Sequence, residues 1–187
     1  MLSLPQDICV ADYFLRHLEP TRDIAMAVFD VFRKDSKNMV FWLRGENIKS
    51  ADVVLDAMKQ AYDAENMHMY EIMRNDKLVG EIGFTRVVDK NKSVYIDYWL
   101  APDVRGHALI DMFLPVMERL AFENLHMNKV VLGIDAGNIA SRRVAERNGY
   151  KLDGILRGDV AWHDGSLHDN CEYSKIKSEW LKGIKNA

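Results

Sequence analysis

The sequence predicts a single mixed α/β domain over residues 1–187, with a mostly antiparallel central sheet flanked by about four helices. Three observations carry this. Apolar residues change from helical spacing to alternation at Met67 and keep that period to Leu100, with turn signals at Asn75-Asp76 and Asp89–Lys92. A helical stripe then separates Ser93–Leu100 from a second apolar run, Lys129–Ala136, as in a strand–helix–strand crossover. Finally, 187 residues suffice for one sizeable core but not comfortably for two.

In chain order, Cys9–Leu18 is rich in Val, Tyr, Phe and Leu and reads as a first strand, stopped by Pro20. Thr21 caps a helix whose stripe is Ile24, Ala27, Val28, Val31 and Phe32. Residues 35–49 lack periodicity and read as a loop. Ser50 caps a second helix, with Val54, Leu55, Met58, Ala61 and Tyr62 on one face. His68–Arg74 and Lys77–Val87 form a hairpin, and Ser93–Leu100 a further strand. Leu109, Met112, Phe113, Val116 and Leu120 mark a third helix. Pro115 inside it should bend the axis and free the Asp111 carbonyl. Lys129–Ala136 reads as a strand buried on both faces. Asn138 opens a short helix that Gly149 closes, and Tyr150–Trp162 and Leu167–Lys175 form a last hairpin around Asp164-Gly165. Residues 176–187 read as a short polar tail.

Composition narrows the function classes. The net charge of −3 lacks the basic excess of a general nucleic-acid binder, so no nucleic-acid partner is expected. Arg142, Arg143 and Arg147 read as a solvated helix face, with a local basic patch as the alternative. Cys9 and Cys171 show no metal-ligand spacing and no disulfide framework, and the six histidines are scattered, so no metal is expected. The opening MLSLPQDICVADYF lacks signal-peptide features, and no apolar run approaches the ~20 residues that span a bilayer. A reduced, cytoplasmic protein without a membrane partner is the expectation.

One stretch carries chemistry. A strand that ends in Ala101-Pro102-Asp103-Val104-Arg105-Gly106 and feeds a helix leaves several backbone N–H groups free at the helix start, as an anion site requires. Further on, Asn138 is placed as an N-cap, with the hydroxyl of Ser141 one turn inside.

These residues resemble a known family. Tyr98-Trp99-Leu100-Ala101-Pro102 before Arg105-Gly106, then Asn138, Ser141, Asn148-Gly149-Tyr150 and Asp153-Gly154, are similar to GNAT-superfamily N-acetyltransferases. Within that superfamily they resemble the RimL and RimJ type that acetylates ribosomal-protein N-termini. Asp164-Gly165 and His168-Asp169 match the same branch. The resemblance implies acetyl-CoA as cofactor. It implies that Trp99 and Leu100 offer backbone groups to the pantetheine arm, with an oxyanion donor there. It places Val104, Arg105, Gly106, His107, Ala108 and Leu109 around the pyrophosphate, Asn138 on the pantetheine amides, and Ser141 as proton donor to the leaving thiolate. The family loop usually reads Arg/Gln-Gly-x-Gly-x-Gly/Ala. Here Ala108 stands for a glycine and Ile110 for a small residue.

The amine must also lose a proton. Asp97, Glu81, Asp159 and His163 are the carboxylates and imidazole on offer. Asp97 leads because a mid-strand Asp between aromatic neighbours is unusual. It would act as base, anchor the substrate ammonium, or pair across the sheet. Phe41, Trp42 and Tyr62 would line an acceptor cleft or simply pack, while His168-Asp169 would order the final hairpin. The implied acceptor is an amine: a peptide N-terminus, or a small molecule such as a polyamine, amino sugar or antibiotic. An acyl-CoA-binding module without catalysis is the alternative. A homodimer stays open.

Overall fold

The computed structural model describes residues 4–36, 48–64, 67–162 and 164–185. Eight strands form one sheet in the order β1-β2-β3-β4-β5-β6-β8-β7. Every neighbouring pair is antiparallel except β5–β6. The strands are β1 (Asp7–Val10), β2 (Tyr13–His17), β3 (His68–Arg74), β4 (Lys77–Val88), β5 (Ser93–Leu100), β6 (Lys129–Asp135), β7 (Lys151–Ala161) and β8 (Leu167–Ile176). Five helices are described: α1 (Arg22–Lys34), α2 (Ala51–Asp63), α3 (Leu109–Arg119), α4 (Ile139–Arg147) and α5 (Lys177–Lys185).

Local chemistry sets most boundaries. Thr21 Oγ1 accepts the Ile24 N–H at 3.3 Å and Ser50 Oγ accepts the Val53 N–H at 3.5 Å, so both expected caps start their helices. Asn75 and Asp76 both hold positive φ (48° and 58°), the left-handed pair that a two-residue hairpin turn needs. Beneath the helices, Tyr70, Phe84, Phe113, Phe122 and Tyr173 are fully buried. Each aromatic contributes on the order of 2–3 kcal/mol of apolar burial.

Four expectations need correction. The first strand is two, β1 and β2, folded back at Ala11-Asp12 with Ala11 at φ 51°. Alanine is a poor signal for a left-handed turn, so the sequence hides it. The tail is instead α5, anchored by Trp180, whose ring lies 5.1 Å from that of Phe122. The α3 stripe holds in part: Leu109, Phe113 and Leu120 are buried as expected, but the buried face also takes in Ile110, Leu114, Met117 and Glu118, while Met112 is exposed. Lastly, the run to Leu125 is not one α-helix: α3 passes through Pro115 to Arg119 and gives way to a π turn over Leu120–Asn124, where the Leu125 N–H reaches Leu120 O at 2.9 Å.

Candidate active site

The parallel pair β5–β6 is joined only at Ser93–Lys129, Val94–Val130 and Tyr95–Val131. Beyond that the two strands part. The gap forms a cleft of about 720 Å³, walled by Ile96–Leu100 on one side and Leu132–Asp135 on the other. The start of α3 and one face of α4 complete it. Unpaired strand ends facing a cleft leave backbone donors and acceptors for a ligand.

At one end lies the loop before α3. Gly106 sits at φ 81° with nothing within 4 Å of where a side chain would start, so the backbone is open to an approaching group. Ala108, at φ 52°, is the N-cap, and no side chain caps this helix. A left-handed alanine costs about 1 kcal/mol. Ala108→Gly is therefore expected to raise the melting temperature by about 2–4 °C. An unchanged or lower midpoint in a calorimetric scan would show that the loop carries no such strain. Gly106, Ala108 and Leu109 line the cleft, while Val104 is buried, His107 is exposed, and neither reaches it. Arg105 lines the cleft, but its guanidinium is engaged. Nε and Nη2 donate to Leu100 O at 2.8 and 2.6 Å, and Nη1 donates to the Asp35 carboxylate at the end of α1. It holds the splayed strand end in place, and Leu100 O is already taken.

The opposite wall is α4. Asn138 Oδ1 accepts the Ser141 N–H at 3.2 Å and so caps the helix. Helical spacing puts Ala140, Ser141, Arg143, Val144 and Arg147 on the cleft face. Arg147 forms a bidentate pair with Asp111 of α3 at 2.7 and 2.8 Å, which ties the two helices together across the cleft floor. Arg142 donates to Tyr173 Oη and Ala136 O, so the three arginines do not act as one basic face.

On β5, Asp97 and Trp99 line the cleft with Tyr98 between them. Trp99 Nε1 donates to Glu81 Oε2 at 2.9 Å, and Glu81 is fully buried in β4 with its other oxygen unpartnered among the described residues. Burial pushes the Glu81 carboxyl up to about 7, with its neighbour Glu71 adding to the rise. Glu81 lies behind Trp99 and does not line the cleft. Asp159 is exposed and accepts from Asn170 Nδ2 at 3.1 Å, away from the cleft. Tyr62 is half exposed on α2, its ring 6.2 Å from that of His17, and does not reach the cleft either. Phe41, Trp42 and His163 lie outside the described residues. His168 Nδ1 meets Asp135 Oδ2 at 2.8 Å and stacks on Trp162, while Asp169 Oδ1 accepts the Gly158 N–H at 2.9 Å. Both residues thus tie the last hairpin together.

A sheet that splays between two parallel strands, with an open loop and helix start at one end of the gap, defines an acetyl-transfer fold. The acetyltransferase (GNAT) domain matches residues 13–151, and the chain belongs to that family of N-acetyltransferases. Its sequence is 29% identical over 172 residues to YdaF of Bacillus subtilis (strain 168), which is provisionally named a ribosomal N-acetyltransferase; the match covers 89% of this chain and 92% of YdaF. A crystal structure described as a probable acetyltransferase is 28% identical, with a TM-score of 0.80 over 93% of this chain and 98% of that one. RimL, a ribosomal L7/L12 alpha-N-protein acetyltransferase solved with coenzyme A, shares the fold at TM-score 0.79 and 21% identity, over 92% of this chain and 99% of its own. GNAT acetyltransferases use acetyl-CoA. The open backbone at Gly106, the uncapped start of α3 and the cleft between β5 and β6 fit such a group.

Sequence reasoning missed three features of the site. Asp35 is 70 positions from Arg105, and only the fold brings them together. The burial of Glu81 depends on its sheet neighbours. The third is the phenol of Tyr98, whose hydroxyl is buried and makes no hydrogen bond among the described residues. An aromatic inside the Tyr98–Pro102 motif was a visible signal, but its orphaned hydroxyl was not.

Proposed function

We propose that this enzyme moves the acetyl group of acetyl-CoA to a primary amine by direct transfer in a ternary complex, with a protein or peptide N-terminus as acceptor. The observation that carries the reading is the cleft itself: an anion-ready loop at one end, Ser141 on one wall and Asp97 on the other. The names of YdaF and RimL support a ribosomal-protein acceptor. A small-molecule amine is the competing outcome of the test. The chain is taken to work as one domain, and the two free cysteines, Cys9 and Cys171, suit a reducing cytoplasm. No helix among the described residues is long and apolar enough to cross a membrane. A homodimer is compatible with the exposed edge strand β7, whose Leu152, Ile155 and Leu156 are open.

Acetyl-CoA, when bound, supplies the acetyl group as a thioester. Gly106, Ala108 and Leu109 would hold its pyrophosphate through backbone N–H groups at the positive end of α3. Asn138, with its Oδ1 committed to the cap, would offer Nδ2 to the pantetheine arm. The backbone of Trp99 and Leu100 would donate to the developing oxyanion. Asp97 would take the amine's proton, and Ser141 would hold the proton destined for the sulfur.

The experiment is a thermal shift with acetyl-CoA followed by thiol release against a panel of peptides and amines. Stabilisation by acetyl-CoA and thiol release with N-terminal peptides are expected. Stabilisation without thiol release would instead identify a binding module. In the same assay Ser141→Ala should lower kcat about 10²-fold with little change in acetyl-CoA affinity, and Asp97→Asn should shift the acid limb of the pH–rate profile. Variants that turn over like the wild type would remove these residues from the mechanism.

A further inference from the structure

Tyr98 and Ser141 both line the cleft, one from β5 and the other from the first turn of α4. Tyr98 Oη is buried without a hydrogen-bond partner among the described residues. A buried hydroxyl left unpaired costs on the order of 1–3 kcal/mol, so a protein that keeps one has a use for it or a partner within a small movement. Ser141 is that neighbour. It lies close enough to oppose the effect of burial on the phenol, although no hydrogen bond of normal length and angle joins them. The Ser141 backbone N–H is held by Asn138 Oδ1 at 3.2 Å. A serine in a helix commonly bonds back to a carbonyl one turn earlier. Here it also lines the cleft.

We propose that Tyr98 is a positioning residue for Ser141: its O–H donates to Ser141 Oγ and thereby aims the Ser141 proton at the leaving sulfur. The inference rests on the acetyl-transfer reading above. In the reaction Ser141 gives its proton to sulfur as the carbon–sulfur bond breaks and the nitrogen–carbon bond forms. Asp97 takes the proton shed by nitrogen, and solvent restores Ser141. Tyr98 keeps its own proton throughout. Burial pushes its phenol up to about 12, so the group stays a donor across the working pH range. The charges around it are Asp97 on its own strand, Asp111 from α3 and Arg147 from α4. The two aspartates favour the neutral phenol and Arg147 opposes them. Arg147 and Asp111, paired to each other, largely cancel at the hydroxyl, and Asp97 favours the neutral phenol.

The test uses the full chain and coenzyme A, whose free thiol reports on the same position as the leaving group. Thiolate ultraviolet absorbance is titrated in the complex for the wild type, Tyr98→Phe, Ser141→Ala and the double variant. Wild type should lower the thiol pKa relative to free coenzyme A. Tyr98→Phe and Ser141→Ala should each raise it by about one unit, a tenfold change in acidity, with no further rise in the double variant. Turnover should fall about tenfold in Tyr98→Phe, while the melting temperature of the ligand-free protein holds or rises, because the hydroxyl removed there is buried without a partner among the described residues. A Tyr98→Phe complex that titrates like the wild type overturns the proposal, as does an additive double variant. Should Tyr98→Phe fail to fold, an unshifted thiol in Ser141→Ala overturns it equally. Failure of the wild type to bind coenzyme A would instead sink the acetyl-transfer reading, and this inference with it.

Discussion

Glu81→Gln is expected to stabilise the protein by about 3 kcal/mol at pH 8 and to leave it unchanged near pH 4. The reason is the burial of a carboxyl inside the sheet. Glu81 stands between Glu71 of β3 and Trp99 of β5; among the described residues the Trp99 indole donates to one oxygen and the other has no partner. In the unfolded chain its carboxyl titrates near the ordinary 4.5, whereas burial raises it to about 7 in the fold. Between those pH values the native protein holds a proton that the unfolded chain has released. Stability is therefore highest below about 4.5, falls as the pH climbs through the window, and levels off above about 7. Glutamine keeps an oxygen for the Trp99 N–H and cannot ionise, so the variant should lack this slope. Glu71 is also raised by burial, opposed by Arg16 at 2.6 and 2.9 Å, and leaves a weaker slope of the same sign behind. Urea melts of both proteins from pH 4 to 8 measure the effect. Parallel curves would mean that Glu81 is solvated or paired in solution.

The second large effect lies at the far end of the sheet. Lys175 of β8 donates to Glu118 of α3 at 2.7 Å, with their side chains 14% and 5% exposed. The ammonium also sits 4.7 Å above the Tyr150 ring. Lys175→Met should cost about 3–5 kcal/mol, because it leaves a buried carboxylate without its cation. For a chain of this size that lowers the melting temperature by roughly 6–15 °C. Lys175→Met with Glu118→Met should recover most of the loss, since two apolar side chains of similar volume replace the pair. A single variant as stable as the wild type would show that water reaches Glu118. The clasp matters to the site because α3 carries the anion-ready start at its other end.

Periodicity was enough for most of the fold. The strands from His68 to Leu100, the crossover through α3 and the caps at Thr21, Ser50 and Asn138 were legible because each depends on neighbours a few residues away. The hairpin at Ala11-Asp12 was not, since its turn uses an alanine in a conformation alanine seldom adopts. The full buried face of α3 is hidden from the sequence for a different reason. Glu118 looks like a surface residue until Lys175, 57 positions later, is brought against it.

The site divides along the same line. Ser141, Asn138, Gly106 and Ala108 could be singled out from the chain, because caps and helix starts have local signatures. Ala108 sits in a left-handed conformation at the start of α3, where the family loop usually carries a glycine. What the sequence could not contain was the parting of β5 from β6, which makes the cleft. Nor could it contain the long-range pairs around it, Arg105 with Asp35 and Arg147 with Asp111, or the Tyr98 hydroxyl, buried without a partner among the described residues. Local spacing fixes which backbone forms a strand or a helix start. Whether a polar group ends up solvated, paired or orphaned depends on residues distant in sequence, and only the folded chain decides that.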